Sequence, residues 1–186
     1  MAGEETLGHR SAIRWRMMRW GGAAALLMVP AIAMQFTDEV NWGPEDFVAM
    51  GGIFAVALGA YELLAKMAGN ASYRVASALA ILGVFLLVWV NLAVGIIGDE
   101  GNDANWMFLA LPIVGIAGAV LSNFRAAGMA RTLFAMAGVQ ALIAAIAVGM
   151  GLGTEGPIWP RDVLGVTVIL CGIWLLSGAV FRHSAR

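Results

Sequence analysis

The chain is short of the residues on which most catalytic and metal chemistry depends. It has one cysteine in 186 residues, Cys171, inside an apolar run. That excludes a disulfide framework or a cysteine metal set within one chain. Its two histidines, His9 and His183, both lie in the tails, so bis-histidine haem ligation inside a helix bundle is excluded. Glycine is plentiful at 24 residues but dispersed. It builds no P-loop or dinucleotide fingerprint, and no nucleophile elbow is present. The expectation is no catalytic residue, no cofactor, no metal and no enzymatic activity.

Charge is also scarce. Only 12% of residues are charged and 61% are hydrophobic, with a mean hydropathy of +0.83. A soluble domain carries about 25% charged residues. The apolar excess gathers into six runs: Trp20–Phe36, Phe47–Met67, Val75–Ile97, Trp106–Phe124, Thr132–Leu152 and Val163–Phe181. Most approach the ~20 residues that cross a bilayer as a helix, and none alternates with period two as a barrel strand does. The reading is an all-α, polytopic bundle of six transmembrane helices. Residues 1–19 form a basic tail, 20–181 one membrane domain and 182–186 a second tail.

The charges that remain are segregated. Arg10, Arg14, Arg16, Arg19, Lys66, Arg74, Arg125, Arg131, Arg182 and Arg186 fall on one side of alternating spans. Asp38, Glu39, Glu45, Asp46, Asp99, Glu100, Asp103, Glu155 and Asp162 fall on the other, with Arg161 as the single cation there. Cations are retained on the cytoplasmic side during insertion, so both termini are expected in the cytoplasm. Trp42, Trp106 and Trp159 each precede a span where interfacial indoles belong. One rival concerns the first run, where a basic segment, a short apolar stretch and Ala31-Ile32-Ala33 resemble a cleavable signal peptide. An uncleaved span is preferred. Because the arginines track the membrane surface, nucleic-acid binding has no support.

Short loops predict antiparallel neighbours. Small residues recur every four positions: Gly51, Ala55 and Gly59; Gly115 with Ala119 and Gly118 with Ser122; Ala137, Ala141, Ala145 and Gly149. Such stripes let helices approach closely, within one bundle first and between copies second. Pro30 and Pro112 either kink their spans or sit near helix ends.

Few polar residues interrupt the runs. Glu62 is the one acid within them, and an intramembrane acid is a functional candidate by default. Lys66 follows one turn later in the order that favours an ion pair, and that structural reading comes first. Gln140 and Asn91 need hydrogen-bond partners in hydrocarbon and are read as interhelical ties before cavity linings. The acidic loops are read as solvated surface ahead of a Ca²⁺ or Mg²⁺ site, since no EF-hand spacing is present. The basic face, with Arg14-Trp15-Arg16, suits anionic lipid head groups.

Several stretches carry a resemblance. They are Met34-Gln35-Phe36-Thr37-Asp38-Glu39-Val40-Asn41-Trp42, Tyr61-Glu62-Leu63, Gly69-Asn70-Ala71-Ser72-Tyr73-Arg74, and the run from Leu87 to Gly98. Asn102, Ala104-Asn105, Phe124-Arg125 and Gly128-Met129-Ala130-Arg131 complete the set. Across Met34 to Gln140 the chain resembles a family of small, multi-span bacterial inner-membrane proteins with no assigned activity. The resemblance implies that location and no catalytic role. Where the family usually has proline after the loop arginine, Ala126 stands here. The resemblance also draws attention to an outer-face patch of Asp38, Glu39, Asn41, Trp42 and Asn105, with Asn91 nearby.

The function expected is a non-enzymatic accessory or scaffold subunit. Its partners would be membrane lipids and a membrane protein or a second copy. The alternative is a small solute or ion transporter or channel using Glu62, Gln140 and Asn91.

Overall fold

A computed structural model describes the backbone of residues 2–186 and the side chains of residues 13–186. His9 and Arg10 therefore lie outside the described side chains. The described chain is all-helical: α1 (Ala2–Ala33), α2 (Pro44–Met67), α3 (Ala71–Ala93), a 3-10 segment (Asp103–Leu109), α4 (Ala110–Leu121), α5 (Ala126–Gly149) and α6 (Arg161–Ser184). Helix satisfies every backbone group within its own segment, as a lipid environment demands.

Among the described residues five stretches are long and apolar enough to cross a membrane: α2, α3, Asp103–Leu121, α5 and α6. The chain is thus built as an integral membrane protein. The sixth expected span, Trp20–Phe36, is not one of the five. It belongs to one continuous helix, α1, which takes in the basic segment and ends at Ala33. Beyond Arg19, α1 has too few residues to cover ~30 Å of hydrocarbon unaided.

The fourth run also differs from expectation. Trp106–Phe124 is not a single α-helix, because its first part is the 3-10 segment and its α-helical part begins at Ala110. Pro112 is the physical reason. It offers no N–H to the carbonyl four residues back, and its ring crowds that carbonyl. Pro112 is in the first turn of α4 and Pro30 in the last turn of α1, so both prolines sit near helix ends.

The chain divides into two compact units, Met1–Gly59 and Ala60–Arg186, with the boundary inside α2. In the first unit, α2 starts where Pro44, Glu45 and Asp46 predict it. Asp46 Oδ2 accepts the Gly43 N–H at 2.9 Å, while the Gly43 carbonyl accepts the Asp46 N–H at 3.1 Å. This reciprocal pairing satisfies groups a helix start leaves open. Trp42 stacks edge-on against Phe47 at 5.3 Å. Leu27 lies 3.7 Å from the position a Cβ at Gly51 would take.

In the second unit, α6 is the central helix. It packs on α3 along one side and on α5 along another, and α5 in turn carries α4. Consecutive helices were expected to be neighbours. α4–α5 and α5–α6 are, but α3 packs chiefly on α6, and the 3-10 segment bridges α3, α4 and α5. Glycines set these contacts. A Cβ at Gly83 would lie 2.5 Å from Cζ3 of Trp174, so the indole occupies the space glycine leaves. A Cβ at Gly178 would lie 2.8 Å from Cε1 of Phe134. On α4, Gly118 makes room for Thr132 and Gly115 for the Met136 sulfur, the latter at 3.2 Å. Ser177 Oγ crosses from α6 to donate to the Ala76 carbonyl on α3 at 2.8 Å. Lipid supplies no hydrophobic drive between helices, so close contact of this kind is the main attraction.

This packing places the starts of α3 and α5 and the end of α6 at one end of the unit. Asn70 Nδ2 donates to the Ser184 carbonyl, and Tyr73 Oη donates to the Phe124 carbonyl at 2.7 Å. Arg74, Arg125, Arg182 and Arg186 share that end, while Asp99, Glu100, Asp103, Glu155 and Asp162 lie in or beside the loops at the other.

Gly83→Ala is expected to lower unfolding stability in detergent by about 1–3 kcal/mol, the usual cost of overpacking. Gly172→Ala should leave it unchanged, since nothing lies within 4 Å of that position. Equal melting of the two variants would contradict the notch.

Candidate functional site

The candidate polar residues meet three different fates. Asn105 is buried, at 5% exposure, and belongs to its own loop. Its Oδ1 accepts the N–H groups of Ile96 (2.9 Å) and Ile97 (2.8 Å). Its Nδ2 donates to the carbonyls of Ile97 (3.2 Å) and Asp99 (2.6 Å). One carboxamide thereby uses its full complement of bonds on four backbone groups. The loop can close this tightly because Gly95 and Gly98 adopt φ of +68° and +77°, a region that favours glycine. Gly153, from the loop after α5, comes so near that its Cβ would lie 2.7 Å from the Gly98 nitrogen. In that second loop Trp159 Nε1 donates to the Leu152 carbonyl at 2.9 Å. Trp159 therefore ties a loop together, whereas Trp106 is 72% exposed.

The residues of the expected outer-face patch belong to both units. Asp38, Glu39 and Asn41 are exposed and Trp42 is half-buried, all in the loop between α1 and α2 of the first unit. Asn105 is locked inside the second unit, where its carboxamide has no remaining bond to offer a ligand. Asn91 is half-buried on α3, and its Nδ2 reaches the Asn105 carbonyl at 3.5 Å.

Gln140 behaves oppositely. It is 0% exposed on the buried face of α5, and neither amide atom has a partner among the described residues. On α6, Thr167 Oγ1 and Trp174 Nε1 are likewise unpartnered and buried. Cys171, one turn after Thr167, donates Sγ to the Ala137 carbonyl at 3.4 Å. That bond links α6 to α5. Glu62 is half-buried near the end of α2, with an interaction of its own, and Lys66 is exposed one turn later. Among the described residues no three metal-ligating side chains converge.

The small-residue stripe on α5 is split between two faces. Ala137 is buried against the bundle, whereas Ala141, Ala145 and Gly149 are exposed. Gly138 joins the exposed set and, like Gly149, has open space where a Cβ would stand. The result is a shallow, apolar strip on the outward side of a helix whose inward side is packed. Sequence reasoning missed Trp174 and Thr167. The available signal was the position of Trp174 in the middle of a run, far from the interface where indoles usually sit.

The two buried amides should respond to deletion with opposite signs. Asn105→Leu strips partners from buried backbone groups and is expected to cost roughly 2–4 kcal/mol, with faster hydrogen exchange at Ile96 and Ile97. Gln140→Met removes an unpaired amide and should be neutral or raise stability by about 1 kcal/mol. Denaturation in detergent reads both, and a strongly destabilised Gln140→Met would show that its amide is bonded. Comparison of the chain with protein-family models, curated proteins and solved structures gives no match.

Proposed function

We propose that the protein is a non-enzymatic accessory or scaffold subunit of the bacterial inner membrane that docks a membrane-embedded partner against α5. In this reading α1 serves as the sixth span and both termini are cytoplasmic, in keeping with the segregation of arginines from acids. The family resemblance between Met34 and Gln140 points to the same membrane. One observation carries the docking role: the exposed strip Gly138, Ala141, Ala145 and Gly149 on a helix otherwise well packed. Small residues at three- and four-residue spacing let a second helix come close enough for dispersion to hold it.

The alternative, a small transporter or channel, draws on a different observation. Gln140, on the buried face of α5, keeps an amide with no partner among the described residues, as a group lining a polar path would. Flux in liposomes that disappears in Glu62→Gln would favour this second reading.

Purification of the tagged chain from its native membrane in mild detergent, with mass spectrometry of what is retained, tests the first. A stoichiometric membrane protein should copurify, and Ala145→Leu should release it while the melting temperature is kept. A lone monomer in both forms would overturn the proposal.

A further inference from the structure

At the basic end of the second unit, α5 and α6 leave a groove of about 320 Å³ lined by Phe134, Ala179, Arg182, His183 and Arg186. Residues 179, 182, 183 and 186 follow the 0, 3, 4, 7 spacing of a single helix face. That face is exposed along its length. Phe134 closes the other side, its ring held against α6 where Gly178 has no side chain. The lining is therefore apolar toward the bundle and cationic toward the helix end. It contains no acid, and among the described residues no carboxylate pairs with Arg182 or Arg186. Arg131 stands three residues before Phe134 on the same exposed face of α5 and adds to the positive field.

We propose that this groove is a binding site for an anionic phospholipid. Its phosphate sits between Arg182 and Arg186, with His183 as a further polar contact, and its acyl chain runs along Phe134 and Ala179. Guanidinium groups suit phosphate because their planar forks match its oxygens. A bare phosphate would have no use for the aromatic wall, whereas a lipid meets both halves of the groove. The α6 C-terminus itself favours cations beside it. The site does not depend on a protein partner at α5.

The test is native mass spectrometry of the full chain with phosphatidylglycerol or phosphatidylcholine added in detergent. The unaltered protein should retain phosphatidylglycerol preferentially. The double variant Arg182→Gln/Arg186→Gln should lower that affinity at least about tenfold, because it removes the charge-assisted hydrogen bonds to the phosphate. Arg74→Gln/Arg125→Gln removes equal charge at the same end outside the groove and should leave retention unchanged. Ala179→Trp fills the groove while keeping every charge and should also reduce binding. Equal loss in the two double variants would reduce the effect to general surface charge and overturn the site. Displacement of the lipid by millimolar inorganic phosphate would overturn it as well, by showing that the chain contact contributes nothing.

Discussion

The second unit depends on α6 being held between α3 and α5, and on Trp174 occupying the space left at Gly83. In water, burial of so large an indole would itself drive packing. In lipid it does not, because the chain exchanges one apolar contact for another. What remains is fit. Glycine at 83 and 178 lets two aromatic rings lie directly against helix backbone, where many weak dispersion contacts add up. The Ser177 bond to the Ala76 carbonyl fixes the register of the same contact. Without this alignment, neither the polar clamps at the bundle ends nor the faces presented to the outside would be in place.

Those clamps explain how a chain with few polar residues manages its loops. At the acidic end, Asn105 satisfies four backbone groups that a turn of glycines would otherwise leave bare, and Gly153 brings the neighbouring loop against it. At the basic end, Asn70 caps α3 by accepting the Tyr73 N–H and also binds Ser184 of α6. Tyr73 meanwhile holds the Phe124 carbonyl in a turn where Asn123 and Phe124 have φ of 48° and 57°. A left-handed phenylalanine is costly, and the hydroxyl bond helps offset that cost. In the second unit the small-residue strip of α5 and the cationic groove beside the end of α6 remain exposed among the described residues. Both suit association within a membrane.

Much of this was legible in the sequence, and the remainder was hidden for definite reasons. Long apolar runs located α2, α3, α5 and α6 to within several residues, because length and hydropathy suffice for that. They overran at the loops, since hydropathy does not register the positive φ of Gly95 or Gly151 that ends a helix environment. The fourth run read as one helix because its composition is uniform, although Pro112 changes its geometry. Asn105 was picked out through the family resemblance as part of an outer-face patch, but its role was not foreseeable. A carboxamide looks the same in sequence whether it faces a ligand or four backbone groups of its own loop. Gln140 was read as an interhelical tie; it is buried, and no partner for its amide lies among the described residues. The α3–α6 contact joins residues more than a hundred positions apart, and no local pattern reports that.

The central claim is that α3 and α6 lie side by side, with the start of one at the end of the other. Disulfide formation in native membranes tests it most directly. With Cys171 replaced by serine, the pair Asn70→Cys/Ser184→Cys should cross-link readily, because Ser184 Oγ lies 2.9 Å from Asn70 Oδ1. The pair Asn70→Cys/Gly149→Cys, at opposite ends of the bundle, should not. Cross-linking of the second pair alone, or of neither, would contradict the arrangement on which the rest stands.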